Sequence, residues 1–438
     1  MREQLQQHLN DNFAFLEGKK LLLAISGGID SMVLLELFRA LPYTVAVAHC
    51  NFGLRGAESD GDENFVKQWC ARQNIRLFTT RFATQEYAAT EKCSIQLAAR
   101  ELRYNWFSEL LESEGFDYLL TAHHLDDTLE TFLINLTRGT GLEGLTGIPA
   151  QNGKIIRPLL PFGRNEIEAY ATANSIAWRE DSSNASDKYL RNRLRHQVVP
   201  ILKELNPNFL NGFQDTIGHL QQTETLVQDA VTELYGKIVT EKGEQLHIAI
   251  EKLKLIPNYK AYLYQWLKPY GFTAWDDIYN LINAQSGKQV FSENYRILKD
   301  RDYLVLEKQH KPLTESVEIT ENQEVTLEQG RLTVYSVTNV TEDRGGKVIF
   351  VDKDKLKLPL ILRKWKEGDY FYPSGMTGRK KISKYFKDEK FSLIDKENSW
   401  LLCSGNEIVW VVGKRSDRRF RIEQATNNII KIELHENK

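Results

Sequence analysis

Ser26-Gly27-Gly28-Ile29-Asp30-Ser31 places two hydroxyls, two glycines and a carboxylate within six residues. The apolar run Leu21–Ile25 precedes it, and Met32–Phe38, with helical length and propensity, follows. A short buried strand, a tight Gly-Gly turn and a helix start suit an anion. Glycines let the backbone come close, Ser26 and Ser31 add hydroxyl donors, and a helix start offers free N–H groups and partial positive charge. The loop lacks the Gly-Lys-Ser/Thr ending of a Walker A sequence and the spacing of the dinucleotide fingerprint. A bare Gly-Gly would be only a turn; the whole pattern in a strand–turn–helix setting points to a nucleotide phosphate.

A second polar loop, His49-Cys50-Asn51-Phe52-Gly53-Leu54-Arg55-Gly56, follows the apolar run Val45–Ala48, with Glu58 and Asp60 just beyond. A third, His123-His124-Leu125-Asp126-Asp127-Thr128-Leu129-Glu130-Thr131, follows Tyr118–Ala122. On a helix, Asp126 or Asp127 lies one turn from Glu130, so carboxylates share a face. Such a set suits divalent metal ions, or Mg²⁺-ATP with a cationic substrate, or simply an acidic helix start. Four glycines between Arg138 and Gly147 mark a closely approached loop, by nucleotide or RNA if not merely a flexible one. Arg191, Arg193 and Arg195 alternate and cannot all lie on one helix face; triphosphate or RNA backbone would suit them.

The elements that must position these groups alternate through residues 1–200: strands near 21–25, 45–48, 75–79 and 118–122, helices near 60–73, 95–112 and 125–136. That alternation predicts an α/β fold, a parallel sheet with helices on both faces and ligands beyond the strand C-termini. From Leu210 to Leu234 apolar residues recur at steps of three and four, predicting one long amphipathic helix. Further helices are expected over Tyr259–Leu267 and Trp275–Ile282. After Val317 the pattern turns to strands, with Leu332–Val337 alternating and Trp400–Val412 reading as a hairpin. The expected organisation is a Rossmann-like catalytic domain over 1–205, a helical middle domain over 206–310, and a small β-rich α+β domain over 311–438.

Composition narrows the classes. A chain of 438 residues exceeds one ordinary domain, and 42% hydrophobic with 26% charged residues describes a globular protein. No apolar run approaches the ~20 residues of a membrane span, and the polar start lacks a signal-peptide core, so a cytoplasmic location is expected. The four cysteines, at 50, 70, 93 and 403, form no C-x-x-C pair, which disfavours a zinc knuckle or cluster. Net charge is only −2, so any nucleic-acid surface must be local. Residues 361–390 carry nine Lys/Arg against four acids, and 414–421 five against one. Trp365, Tyr370, Phe371, Tyr372, Tyr385, Phe386 and Phe420 are interleaved, and cations beside rings are what RNA contact requires; a solvated basic surface is the plainer alternative.

The S-G-G-x-D-S loop resembles the pyrophosphate loop of the N-type ATP pyrophosphatases. The whole set resembles the tRNA(Ile)-lysidine synthetase family within that PP-loop superfamily. The likeness includes His49, Asn51, Leu54, Arg55 and Gly56; His123, His124, Asp126, Asp127, Glu130 and Thr131; Arg157–Leu160; the stretch 181–195; and the run Gly368, Asp369, Phe371, Pro373, Gly375, Met376, Gly378, Lys380, Lys381. It spans most of the chain and is weakest in the middle region. The resemblance implies ligation of free L-lysine to C2 of the wobble cytidine of tRNA(Ile) with a CAU anticodon. ATP is consumed to AMP and pyrophosphate through an adenylated cytidine, and decoding changes from AUG to AUA. It also implies ATP contact by Ser26, Gly27, Gly28, Ile29, Asp30, Ser31, His49 and Asn51. Catalytic roles fall to Asp30, Arg103, Asp127 and Glu130, with Asp30 a candidate Mg²⁺ ligand. Substrate contacts are expected from Arg55, His123, Asp126, Arg193, Lys380 and Lys381. No membrane partner is expected, and a homodimer stays open.

Four other readings compete. A tRNA thiolase on the same fold needs a cysteine pair or cluster, and only Cys50 lies near the expected site. A glutamine-fed amidotransferase would have a cysteine after Met1. A metallophosphoesterase would use the His123–Glu130 set without the Ser26–Ser31 loop. A non-enzymatic RNA-binding protein would need only the basic terminal region.

Overall fold

A computed structural model describes residues 1–180, 190–309, 316–327, 330–338, 340 and 346–436. The chain divides into two compact units, Met1–Ala230 and Val231–Lys438. Residues 181–189, part of the expected family likeness, lie outside the described residues.

The first unit is built on strands β1 (Lys20–Ala24), β2 (Thr44–Asn51), β3 (Leu77–Arg81), β4 (Tyr118–Leu120), β5 (Gln151–Asn152) and β6 (Ile155–Ile156). Their order is β3-β2-β1-β4-β6-β5. All pairs are parallel except the β5–β6 hairpin. The helices are α1 (Arg2–Asn12), α2 (Ile29–Arg39), α3 (Ala57–Arg72), α4 (Thr84–Thr90), α5 (Ile95–Ser113), α6 (Leu125–Arg138), α7 (Leu142–Leu145), α8 (Arg164–Ala173), α9 (Leu190–Arg193), α10 (Val199–Leu205) and α11 (Phe209–Ile238). The chain winds outward from β1 to β3, then returns to place β4 on the other side of β1. The loops after β1 and β4 therefore diverge from neighbouring strands at one edge, the switch point where doubly wound sheets hold ligands.

Side-chain alternation decides the two faces. Leu21, Leu23 and Val47 join one core with Leu5 and Leu9 of α1, Met32 and Leu35 of α2, Val66 of α3 and Ile167 of α8. Leu22, Ala46, Ala48 and Leu119 face the opposite way onto Phe107, Leu110 and Leu111 of α5. Both faces are covered, which is why β1 reads as an unbroken apolar run. Each fully buried leucine contributes roughly 2 kcal/mol, so the loops sit on a stiff base. β2 runs farther than the apolar pattern suggests: His49, Cys50 and Asn51 pair with Thr79, Thr80 and Arg81. Strand pairing carries polar residues that local hydrophobicity assigns to a loop.

The second unit is more mixed than a helical middle domain followed by a β domain. Helices Tyr259–Leu267 and Trp275–Leu281 form as expected. They share a core with an antiparallel sheet that hydrophobic periodicity does not predict. Val239–Lys242, Gln245–Ala249, Tyr303–Lys308, Tyr295–Asp300 and Gln289–Phe291 form it, in that spatial order. These strands are short, and long-range pairing stabilises them. The terminal region holds a five-stranded and a four-stranded antiparallel sheet that share one core. The hairpin Trp400–Ser404 with Glu407–Val411 lies in the first of these, and Gly330–Val337 in the second.

Several aromatics read as RNA-stacking rings are core instead. Phe371, Tyr385 and Phe386 pack with Ile382, Leu401 and Val411, and Phe420 joins the sheet core. Tyr370 is exposed and Tyr372 half-buried. Strand alternation turns Phe371 inward and leaves Tyr370 outside, whereas Tyr385 and Phe386 are buried on the inner side of the helix Ile382–Asp388 and Phe420 in a short 3-10 turn, so interleaving along the chain overstates what reaches the surface.

Candidate active site

The Ser26–Ser31 loop closes around one hydroxyl. Ser31 Oγ accepts from the N–H groups of Ser26 and Gly27, both at 3.2 Å, and donates to Gly28 O at 2.8 Å. Gly28 caps α2. Gly27 has φ +95°, a region that a side chain rarely tolerates. Gly28 N donates to Ser26 Oγ at 3.3 Å, so the loop's first N–H groups are held by its own serine hydroxyls, beside a helix start whose partial positive charge favours an anion.

His49 braces this loop from β2. Its Nδ1–H donates to Ile25 O at 2.9 Å, while Nε2 is buried without a partner. Burial lowers its pKa, so the ring is neutral with Nε2 as acceptor. Asn51 is engaged within the second loop: its amide donates to Asp60 at 3.0 Å and Glu63 at 2.8 Å and accepts from Gly53 N at 2.9 Å. Arg55 Nη2 reaches Asp62 at 2.8 Å. Asn51 and Arg55 therefore shape the loop in this structure. Arg103, on α5, lies over the Phe52 ring at 5.0 Å.

The loop after β4 meets the first loop. His124 Nε2 is 3.7 Å from Asp30 Oδ1 and 3.5 Å from Asp127 Oδ2. Asp127 Oδ2 also accepts from His124 N at 3.1 Å, closing the start of α6. Burial tends to raise the Asp127 pKa, but the two imidazoles of His124 and His123 and that N–H outweigh it and leave it below the ordinary range. Burial raises Glu130 above its ordinary value, against the pull of Arg195. Burial also pushes His123 down to about 4, and its Nδ1 bonds Thr121 Oγ1 at 2.9 Å.

The carboxylates of α6 divide into two sets. Asp127 and Glu130 face Arg195, whose Nη2 is 3.4 Å from Asp127 Oδ1 and whose Nε is 2.6 Å from Glu130 Oε1. Arg191 approaches the same Glu130 at 3.5 Å. Arg191 and Arg195 stand four residues apart on the helical segment that runs from α9 through the π turn Leu194–Val198, a spacing that puts both on one face. Arg193 points elsewhere, exposed and without a side-chain partner among the described residues. Asp126 is apart: it accepts from Arg164 N at 2.8 Å and from Lys203 Nζ at 2.5 Å. Its carboxylate ties α8 and α10 to α6, the position expected for a substrate contact notwithstanding.

Arg164 also clamps Asp30, with Nη1 at 2.7 and 2.6 Å from the two oxygens. Burial raises the Asp30 pKa, opposed by His124 and Arg164. Arg164, Lys203 and Arg179 carry no site signal in the sequence, because the Asp30, Asp62 and Asp126 carboxylates they meet lie 38 to 134 positions away. No group of three or more His, Cys, Asp or Glu among the described residues is placed to share one metal ion. The donors of the metallophosphoesterase reading are dispersed among arginines, a lysine and a threonine.

The glycines at 144 and 147 serve close packing by the chain itself. A Cβ on Gly147, at φ +79°, would lie 2.5 Å from Thr128 Cγ2, and one on Gly144 would overlap the Thr140 side chain. Nothing lies within 4 Å of such an atom at Gly139 or Gly141. In the terminal region Tyr370, Met376, Arg379, Lys380, Lys381 and Lys384 line a cavity of about 680 Å³. Lys380 Nζ pairs with Asp388 at 2.8 Å; Lys381 is exposed.

No described helix is long and apolar enough to cross a membrane. Three family models match in series: a PP-loop domain over 1–202, a TilS substrate binding domain over 241–309, and a TilS substrate C-terminal domain over 360–434. A tRNA(Ile)-lysidine synthase of Bacteroides thetaiotaomicron is 40% identical over 432 residues, 98% of this chain and 99% of that one. One from Parabacteroides distasonis is 40% identical over 419 residues, 94% and 95% of the two chains. Among solved structures, the U34-tRNA thiolase NcsA from Methanococcus maripaludis aligns with TM-score 0.41 and 20% identity over 50% of this chain and 78% of that one, too slight a likeness to carry weight. With a phosphate-binding loop meeting an acidic helix start at the sheet's switch point, and two near-full-length relatives at this identity, the chain belongs to the tRNA(Ile)-lysidine synthase family.

Proposed function

We propose that this enzyme joins the ε-amine of free L-lysine to C2 of the wobble cytidine of tRNA(Ile) bearing a CAU anticodon, in the cytoplasm, with ATP split to AMP and pyrophosphate. The observation that carries this reading is the contact between the two loops, His124 between Asp30 and Asp127. It supports reading the first loop as the place for a departing anion and the acidic start of α6 as the place for a cation.

A carbonyl oxygen leaves poorly, whereas an AMP ester leaves well. Cytosine O2 attacks the α-phosphorus of ATP, the α–β bridge breaks, and pyrophosphate departs into the Ser26–Ser31 loop. The α2 start stabilises that charge as it develops. The lysine amine then attacks C2, AMP leaves with the former O2, and the amine gives up a proton. A free ε-amine has a pKa of ~10.4, so a base is needed. Asp127 and Glu130 hold the cation, and the carboxylate nearer the ε-nitrogen takes the proton. Arg195 now occupies those carboxylates; lysine replaces one cation by another.

Mg²⁺ fits here as a companion of ATP, since it binds through one or two carboxylates and phosphate oxygens. Asp30 is the carboxylate beside the loop that would join it, exchanging Arg164 for the ion. When bound, the ion neutralises phosphate charge. The basic cavity around Lys381 and the exposed Tyr370 are our candidates for holding the tRNA away from the anticodon.

ATP, labelled lysine and unmodified tRNA(Ile) should yield label on the RNA with stoichiometric AMP. AMP release that never responds to lysine would refute the reading.

A further inference from the structure

We infer that Arg179 is a positioning residue for the Ser26–Ser31 loop, seated on Gly61 and held by Asp62, so that its backbone fixes the direction of the Gly27 peptide. This rests on the reading of that loop as the pyrophosphate site.

The Arg179 N–H donates to Gly27 O at 2.9 Å. A trans peptide is planar, so holding the Gly27 carbonyl points the Gly28 N–H the opposite way. Gly27 needs such help. At φ +95° a glycine has no side chain to resist other conformations, and the peptide after it turns easily.

The anchor is the Arg179 side chain. Its Nε lies 2.5 Å from Asp62 Oδ1, and the other Asp62 oxygen holds Arg55 Nη2 at 2.8 Å. Asp62 is only 8% exposed, so it joins the loop after β2 to the segment that touches Gly27.

Gly61 is the unexpected member. It lies inside helix α3, where glycine is less favourable than alanine by about 1 kcal/mol. Its φ is not among the positive values, so no turn demands glycine. A Cβ there would lie 2.9 Å from Arg179 Nη2 and 3.3 Å from its Cζ. The missing side chain makes room for the guanidinium. The same helix shoulders Gly27 through Phe65 and Val66, each within 3.6 Å of where a Gly27 Cβ would stand.

The test is Gly61→Ala. Its methyl meets only the far end of a flexible side chain, and alanine favours the helix, so Tm should not fall. The KM for ATP should rise about five-fold or more, with the KM for lysine unchanged. A purely structural defect would instead lower Tm and shift both constants. Arg179→Lys should raise the ATP KM by itself yet add little to Gly61→Ala, because both disturb one contact. An unchanged ATP KM in Gly61→Ala overturns the inference. Ser31→Ala run beside it separates the causes: a raised ATP KM in that variant alone removes only the Arg179 role, and insensitivity in both removes the loop reading as well.

Discussion

Arg195 meets Glu130 as a fork on a fork, Nε to Oε1 at 2.6 Å and Nη2 to Oε2 at 3.0 Å. The carboxylate is almost fully buried and the guanidinium a third exposed. A site that holds a guanidinium through two charge-assisted bonds is already built for a cation. The acidic face on α6 is therefore complementary to a positive group, and the chain fills it with its own arginine.

Glu130→Gln and Asp127→Asn should each raise the KM for lysine about ten-fold or more, since a hydrogen bond to a charged group is worth roughly 1.5–3 kcal/mol. The KM for ATP should change little. Steady-state kinetics with each substrate varied in turn decides it; lysine incorporation at parental levels in Asp127→Asn would remove the cation grip.

Cys50 should be dispensable. Burial pushes its thiol up to about 12, so at neutral pH it carries no thiolate, the form that attacks or binds metal. Cys50→Ser should keep more than half of the lysine ligation rate. Complete loss, with folding intact by circular dichroism, would reopen a sulfur-based chemistry.

His123 should make stability sensitive to acid. Its imidazole takes a proton near 4 when folded, against an ordinary 6.5. Between those values the unfolded chain binds more protons, so stability is full above about 6.5 and falls as pH drops toward 4. The full slope is about 1.4 kcal/mol per pH unit. Urea midpoints between pH 7 and 4.5 should decline less steeply for His123→Asn than for the parent; parallel declines would contradict the assignment.

Lys381 and Lys380 should differ in tRNA binding although they are neighbours. The Lys380 ammonium is paired with Asp388 at 2.8 Å, whereas Lys381 is exposed and meets no carboxylate among the described residues. Lys381→Ala should reduce the slope of log K against log salt by about one, as for one lost phosphate contact. Lys380→Ala should reduce it less. Filter binding across a salt series measures both, and equal slopes for Lys381→Ala and parent would exclude that contact.

The chemistry-bearing loops were legible in the sequence because each is local. Ser26–Ser31 and His123–Thr131 follow apolar strands directly, and a parallel α/β pattern places such loops at one sheet edge. The long helix from Phe209 was legible from its period. The sheet over residues 239–308 was not, because its short strands depend on partners far along the chain. The interior placement of Phe371, Phe386 and Phe420 was hidden for the same reason.

The sequence by itself determined which groups are present: a phosphate-binding loop, an acidic helix start, a basic terminal region and no cysteine pair. These follow from residue type and short spacing, which backbone geometry converts directly into local structure. Tertiary structure alone decided who meets whom. It brought Asp30 to His124, set Arg195 on Glu130, turned Asp126 toward Lys203, and seated Arg179 over Gly61. Such pairings rest on the order of strands in the sheet and on charges that burial forces together, and no spacing along the chain encodes them.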